Sequence, residues 1–268
     1  MPIIKASSFQ ETYQAKASAS DINELSGRTG RPDLTEFVGS QVLSMAFRHS
    51  GHYLNLVDIG CGDGTLLRLA ADSGRIGGLL MGVLPTLEEV SRVSEHLRSM
   101  GYDQIQIMMG SAASTTLPDN AADIVICNGV LHGCCSSQDD LEACILELAR
   151  ITRPEGFIYF GELPEVNEVK DRSYGDSILA WLAWSYRSQE FIKFLINVKA
   201  VINGAFGKEP FVIKPKHQYY IIPADFLQVT AAKGISVVEH SRHIEISPQG
   251  TPTESPTRWN YLARKERS

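Results

Sequence analysis

The run Val57-Asp58-Ile59-Gly60-Cys61-Gly62-Asp63-Gly64-Thr65 is the part of the chain best suited to holding a ligand. Glycines at alternate positions permit tight turns and let a bound molecule approach the backbone, and a helix starting just after them offers N–H groups that have no intrahelical partner. The spacing is G-x-G-x-G, and position 65 is threonine where a dinucleotide fingerprint places its third small residue, so the pattern disfavours a pyrophosphate. The five cysteines, Cys61, Cys127, Cys134, Cys135 and Cys144, contain no C-x-x-C pair, which argues against a disulfide framework and against a zinc ribbon. Cys134 and Cys135 lie near His132, but adjacent side chains on a turn are expected to diverge, so no metal is expected. His240 and His243 are three apart on a predicted strand and should point to opposite faces.

These residues need elements to position them. Apolar runs of strand length alternate with helical patterns from Leu54 to Glu162, as in a parallel sheet built from βαβ units. The predicted strands are Leu54 to Ile59, Gly78 to Leu84, Gln104 to Met109, Asp123 to Asn128 and Phe157 to Glu162, most of them continuously apolar as befits a sheet covered on both faces. Leu87, Val90, Val93, Leu97 and Met100 recur at helical spacing behind a Thr86/Glu89 capping box, and a second helix is expected from about Asp139 to Thr152. After Glu162 the alternation stops. Residues 164–215 carry a long apolar and aromatic helical pattern, read as a lid inserted over the ligand edge of the sheet, with Asn203 and Gly204 as its C-terminal cap. A helix after Pro223 and two closing strands, ISVVEHSRHIEI and RWNYLARKE, complete the main domain, with PQGTPTESPT as a polar loop between them. The expected organisation is a helical segment over 1–50, a main domain over 51–163 and 216–268, and the lid over 164–215.

Of 268 residues 43% are hydrophobic and 21% charged, values ordinary for a globular protein. The net charge of −6 lacks the electropositive footprint of a nucleic-acid binder. No stretch approaches the roughly 18 apolar residues of a membrane span, and the first residues do not resemble a secretory leader, so the expected location is cytoplasmic.

The D-I-G-C-G-D-G run resembles motif I of the class I S-adenosylmethionine-dependent methyltransferases. LPDNAADIVICNGVLHG looks like that family's fourth-strand region, LELARITRPEGFIYFGE like its following helix and fifth strand, and WNYLARK like its last strand. The resemblance implies an α/β fold, a doubly wound, mostly parallel seven-stranded sheet, with S-adenosylmethionine lying across the carboxyl ends of its first strands. On that basis Gly60, Cys61, Gly62 and Gly64 face the methionine moiety, Asp58 or Asp63 receives its ammonium, and Asn128 and Gly129 bring backbone carbonyls towards the same amine.

Two positions depart from the family pattern. Leu84, followed by Pro85, stands where an acid usually accepts from both ribose hydroxyls, and Ser111, before Ala112, stands where an acid often meets the adenine amino group. Losing a charge-assisted contact of roughly 1.5–3 kcal/mol weakens binding about ten- to a hundredfold unless Glu88 or another group substitutes. Methyl transfer from an activated donor rests largely on placement, with a base needed only if the acceptor must lose a proton. The candidates for that base are His132 and Glu162. Tyr13, with the Arg28-Thr29-Gly30-Arg31 turn, is a candidate to fold over the cofactor. Trp181, Trp184 and Tyr186 in the lid are candidates to line an apolar or aromatic acceptor pocket, and the lid could also serve a homodimer contact. The expected function is methylation of a small molecule; the alternative is a non-catalytic relative whose cofactor site has degenerated at Leu84.

Overall fold

The computed structural model describes residues 32–52, 54–165, 220–246 and 251–267, together with isolated residues elsewhere. Seven strands form one sheet: β1 (Leu54–Ile59), β2 (Ile76–Leu84), β3 (Gln106–Met109), β4 (Ala122–Asn128), β5 (Thr152–Pro164), β6 (Ile235–Ile246) and β7 (Pro252–Lys265). Their order is β3-β2-β1-β4-β5-β7-β6. All pairings are parallel except those of β7, which runs antiparallel to both β5 and β6. The chain builds outward from β1 to β3, then returns to lay β4 on the other side of β1. This reversal leaves a crevice above the carboxyl ends of β1 and β4, where open α/β sheets bind ligands.

Helices cover both faces. On one side α1 (Pro32–Phe47), α2 (Thr65–Asp72) and α3 (Leu87–Ser99) pack on Leu56, Ile124, Ile126 and Tyr159. On the other, α5 (Gln138–Ile151) and α6 (Pro223–Ala232) bury Val57, Val125, Ile158 and Phe160, while the one-turn α4 (Leu131–Cys134) follows β4. The predicted start signal of α3 acts as expected, and α5 carries one that was not predicted. Thr86 accepts from the Glu89 amide at the head of α3, and Ser137 with Asp140 closes a capping box on α5. No helix among the described residues is long and apolar enough to cross a membrane.

Three expectations need correction. Thr253 to Thr257, expected in a polar loop, belong to β7, where Thr253 and Glu254 pair with Glu245 and Ile244. Threonine is a good strand former, and a register shift between Arg242 and Ile244 accommodates this extension. Ile4–Lys5, expected in a helical segment, pair in parallel with Val212–Ile213, which were expected in the lid segment beyond its helix cap. Finally, β5 begins at Thr152 rather than Phe157: Ala122 pairs with Thr152 and Ile124 with Phe157, so the turn-like Arg153 to Gly156 is a bulge within the strand, with Glu155 at φ 65°. Of the proposed lid, the described residues 182–183, 186, 194–195, 198–199 and 201–202 are helical. Tyr13, the 28–31 turn, Trp181 and Trp184 lie outside the described residues.

Candidate functional site

The glycine run forms the floor of the crevice. Gly60, Gly62 and Gly64 have φ of 71°, 57° and 82°, a left-handed region that disfavours any side chain. The loop is pinned at its ends, since the Gly60 amide donates to Val83 O (2.8 Å) and Asp63 Oδ1 accepts from the Thr65 amide (3.0 Å) at the start of α2. A Cβ at Gly60 would come 2.4 Å from Val130 Cγ2, so the loop also abuts the turn after β4. Beneath it, a Cβ at Gly82 on β2 would meet Cys61 Sγ at 2.5 Å. Cys61 is therefore a packing residue whose thiol burial pushes up in pKa.

Asp58, next to last on β1, carries a carboxyl group only 4% exposed. Burial, and then the charge of Asp63, push its pKa well above the ordinary carboxylate range. Asp63 is equally buried and braces the loop through Thr65.

At the end of β4, Gly129 turns with φ 70° and its amide donates to Gly161 O (3.0 Å). Asn128 donates from Nδ2 to Glu162 Oε1 (3.1 Å), which fixes the orientation of its amide. Its other end, Oδ1, is buried with no hydrogen-bond partner among the described residues. An acceptor left in that state costs about 1–3 kcal/mol, and a ligand amine would satisfy it. The backbone carbonyls were the expected contact here, and the side-chain carbonyl is the additional one.

Glu162, a candidate base with a solvated strand-end charge as the other reading, is not solvated: its side chain is 13% exposed. Its carboxylate is bound by Asn128 and, at 3.1 Å, by the Arg258 guanidinium, while its amide donates to Asn260 Oδ1 (3.0 Å). With both oxygens engaged, Glu162 is a positioning residue for Asn128. It also holds φ 56°, an uncommon conformation for a residue with a side chain. Arg258 and Asn260 on β7 are functional residues that sequence reasoning missed, being almost a hundred positions from Glu162 and carrying no motif. His132 is buried at the start of α4, just beyond Gly129.

The adenosine side departs from expectation in its details. Leu84 ends β2 as expected, but its side chain is 3% exposed and packed in the core, so neither it nor the half-buried Pro85 offers a polar contact. Ala112 is similarly closed at 2%. Ser111 is exposed, with its amide bonded to Ser114 O (2.9 Å). Glu88, a named substitute for the missing acid, is exposed. Glu89 is 1% exposed instead, takes a hydrogen bond from Thr86 Oγ1 (2.7 Å), and has its pKa raised by burial; its charge is felt at Cys61. In the lid, Tyr186 is exposed and its ring contacts Phe194 edge-on at 5.3 Å.

The cysteine expectation is also overturned: Cys134 and Cys135 do not diverge. Their sulfurs are 3.9 Å apart, and Cys144 from α5 joins them. The one-turn helix α4 ends between them, and that change of backbone direction aims both side chains at α5.

Comparison with known proteins fits this arrangement. A family model described as a methyltransferase domain matches residues 57–160, from the glycine loop through β5. Over that stretch the chain resembles a methyltransferase domain. The chain is 30% identical over 157 residues to the malonyl-(acyl-carrier protein) O-methyltransferase of Serratia marcescens, a match covering 58% of this chain and 56% of that protein. The chain thus spans little more than half the length of that relative. Among solved structures, the magnesium protoporphyrin IX methyltransferase of Synechocystis with bound SAH superposes with a TM-score of 0.57 at 17% identity, covering 97% of this chain and 95% of the other. The (4+2)-cyclase SpnF superposes at 0.61 and 16% identity, covering 100% and 99%. At such identities the likeness shows the methyltransferase fold alone.

Proposed function

We propose that this protein is an S-adenosylmethionine-dependent methyltransferase for a small, apolar or aromatic acceptor. The observation that carries the reading is the pairing, across one crevice, of a left-handed glycine loop with an unsatisfied Asn128 Oδ1. A glycine floor lets a thioether lie against backbone, and a buried acceptor beside a buried acid suits an ammonium. Asp58 and Asn128 Oδ1 would receive that ammonium, Gly60 to Gly64 would hold the chain behind it, and Glu89 is the carboxyl group nearest to replacing the ribose acid. When bound, the cofactor supplies an activated methyl group.

The remaining work belongs to the chain's own residues. Glu162 and Arg258 hold Asn128 in register, and Gly129 turns the backbone so that α4 stands over the crevice. His132 is the one residue retained as a proton acceptor, for acceptors that must lose a proton. An acceptor that is already anionic, such as the carboxyl group implied by the name of the Serratia relative, needs no base. The lid, with Trp181, Trp184 and Tyr186, and the N-terminal Tyr13 would close on the acceptor and exclude water.

Calorimetry with S-adenosylmethionine and S-adenosylhomocysteine tests the reading. Binding on the order of micromolar is expected, and Gly62→Val should abolish it while leaving the far-UV spectrum intact. Absence of heat at millimolar ligand, or affinity unchanged in Gly62→Val, would overturn the assignment.

A further inference from the structure

The function proposed above leaves the cysteine cluster unused. Cys134 and Cys135, at the end of α4, and Cys144, nearly two turns into α5, hold their sulfurs at 3.9, 3.9 and 3.8 Å from one another. This is a nearly equilateral triangle, with the three sulfurs converging on one point. The centre of a triangle with such edges lies about 2.2 Å from each corner (edge divided by √3), against about 2.3 Å for a zinc–thiolate bond. The spacing therefore fits three thiolates around one ion with almost no movement. It is also far longer than a disulfide, which would join two sulfurs at about 2.05 Å and leave the third aside.

We propose that Cys134, Cys135 and Cys144 form a three-thiolate binding site for a soft d10 metal ion, Zn(II) or Cu(I). Sulfur-only ligation selects such ions over hard cations. Cys135 and Cys144 are buried whereas Cys134 is exposed, so the site opens to solvent on one side. That opening admits the ion and leaves room for a water as fourth ligand to zinc, whereas Cu(I) is satisfied by the three sulfurs. Binding displaces one proton from each thiol. Cys61 and Cys127 lie outside the triangle.

The site has a structural consequence for the crevice. The helix α4 has only four residues, too few to hold itself together, and it carries His132. An ion shared with Cys144 ties the far end of α4 to the long helix α5. The site is thus a staple for the turn that borders the ligand edge, and it stands independently of any catalytic reading.

The full chain, reduced with a phosphine and freed of metal by chelation, is titrated anaerobically with Zn(II) in one arm and Cu(I) in the other, each against a chromophoric competitor. One equivalent should bind and raise the melting temperature, with sulfur at about 2.2–2.3 Å by X-ray absorption. Cys134→Ser, at an exposed position that leaves the core alone, should weaken binding at least a hundredfold, as should Cys144→Ser; Cys61→Ser should not. The arm with the tighter competition constant identifies the ion. The proposal is overturned if neither metal binds, if binding is undiminished in Cys134→Ser, or if the three thiols simply titrate as a hydrogen-bonded or disulfide-forming cluster. Because none of these readouts involves S-adenosylmethionine, failure here and failure of the methyltransferase reading are separately visible.

Discussion

The two edges of the sheet treat a buried carboxylate in opposite ways. At the amino edge Asp123, 4% exposed, accepts from the Asn55 amide (2.6 Å) and is paired with Arg153. The protein supplies its own counter-charge, and the result is a joint between β1, β4 and β5. At the carboxyl edge Asp58 is just as buried, yet its nearest charged influence is another acid, Asp63, and no ion pair holds it among the described residues. A buried charge left in like-charged company is a poor way to stabilise a fold. Such a group earns its place when the counter-ion arrives with a ligand, which marks the carboxyl edge as the working edge.

That contrast can be broken in several ways. The largest effect is expected from Leu84→Asp, which puts a further acid into the core beside the crevice. Losing an apolar side chain and burying a charge should lower stability by about 3–4 kcal/mol in urea unfolding. If the new carboxylate reaches a ribose, S-adenosylhomocysteine will raise the melting temperature of this variant more than that of the parent. Asp123→Ala should cost about 2–3 kcal/mol, because the Asn55 amide loses its acceptor, and should leave ligand affinity unchanged. If affinity falls instead, the two edges are not independent.

Asp58→Asn should do the reverse of Asp123→Ala, holding or raising stability while weakening S-adenosylhomocysteine about ten- to a hundredfold by calorimetry. The pH dependence follows with a definite sign. Because the folded-state pKa of Asp58 is raised, the folded chain keeps a proton that the unfolded chain releases, and stability falls as pH rises through that window. Ligand affinity should rise through the same window, as the ionised form meets the ammonium, and both trends should vanish in Asp58→Asn. The smallest effect belongs to Glu147 on α5. Held by Arg150 and by the Thr115 amide and hydroxyl, its carboxyl is lowered to about 2. Its contribution is present above the ordinary carboxylate range and lost as acid takes the pH down towards 2, so Glu147→Gln should flatten that part of the acid-unfolding curve.

The working edge was legible in the sequence wherever a local pattern carried it. The glycine run, the Thr86/Glu89 cap and the alternation of β1 to β5 are short-range signals, and each of these elements is present in the order its periodicity implies, with bounds moved by a few residues. Leu84 was readable as a strand end because Pro85 follows it, and as a core residue only as the alternative reading, since burial depends on what α1 to α3 bring against it. The anchoring of Glu162 by Arg258 and Asn260 was not readable at all, because the antiparallel pairing of β5 with β7 alone makes them neighbours. The same holds for Cys144 against Cys134 and Cys135. There the spacing argument failed because it treated two adjacent residues as sharing one turn geometry, when the end of α4 redirects the chain between them.

The contact of Cys61 with the bare backbone at position 82 has a historical corollary. No methyl group can be added at 82 while a sulfur occupies the space above it, and Leu67 and Ile107 close the remaining room at 2.8 Å. Substitutions at 61 and 82 should accordingly show epistasis: alanine at 82 is damaging alone and only partly rescued when 61 becomes glycine, because Leu67 and Ile107 must still give way. Among descendants of this chain, the two positions are expected to change together or not at all.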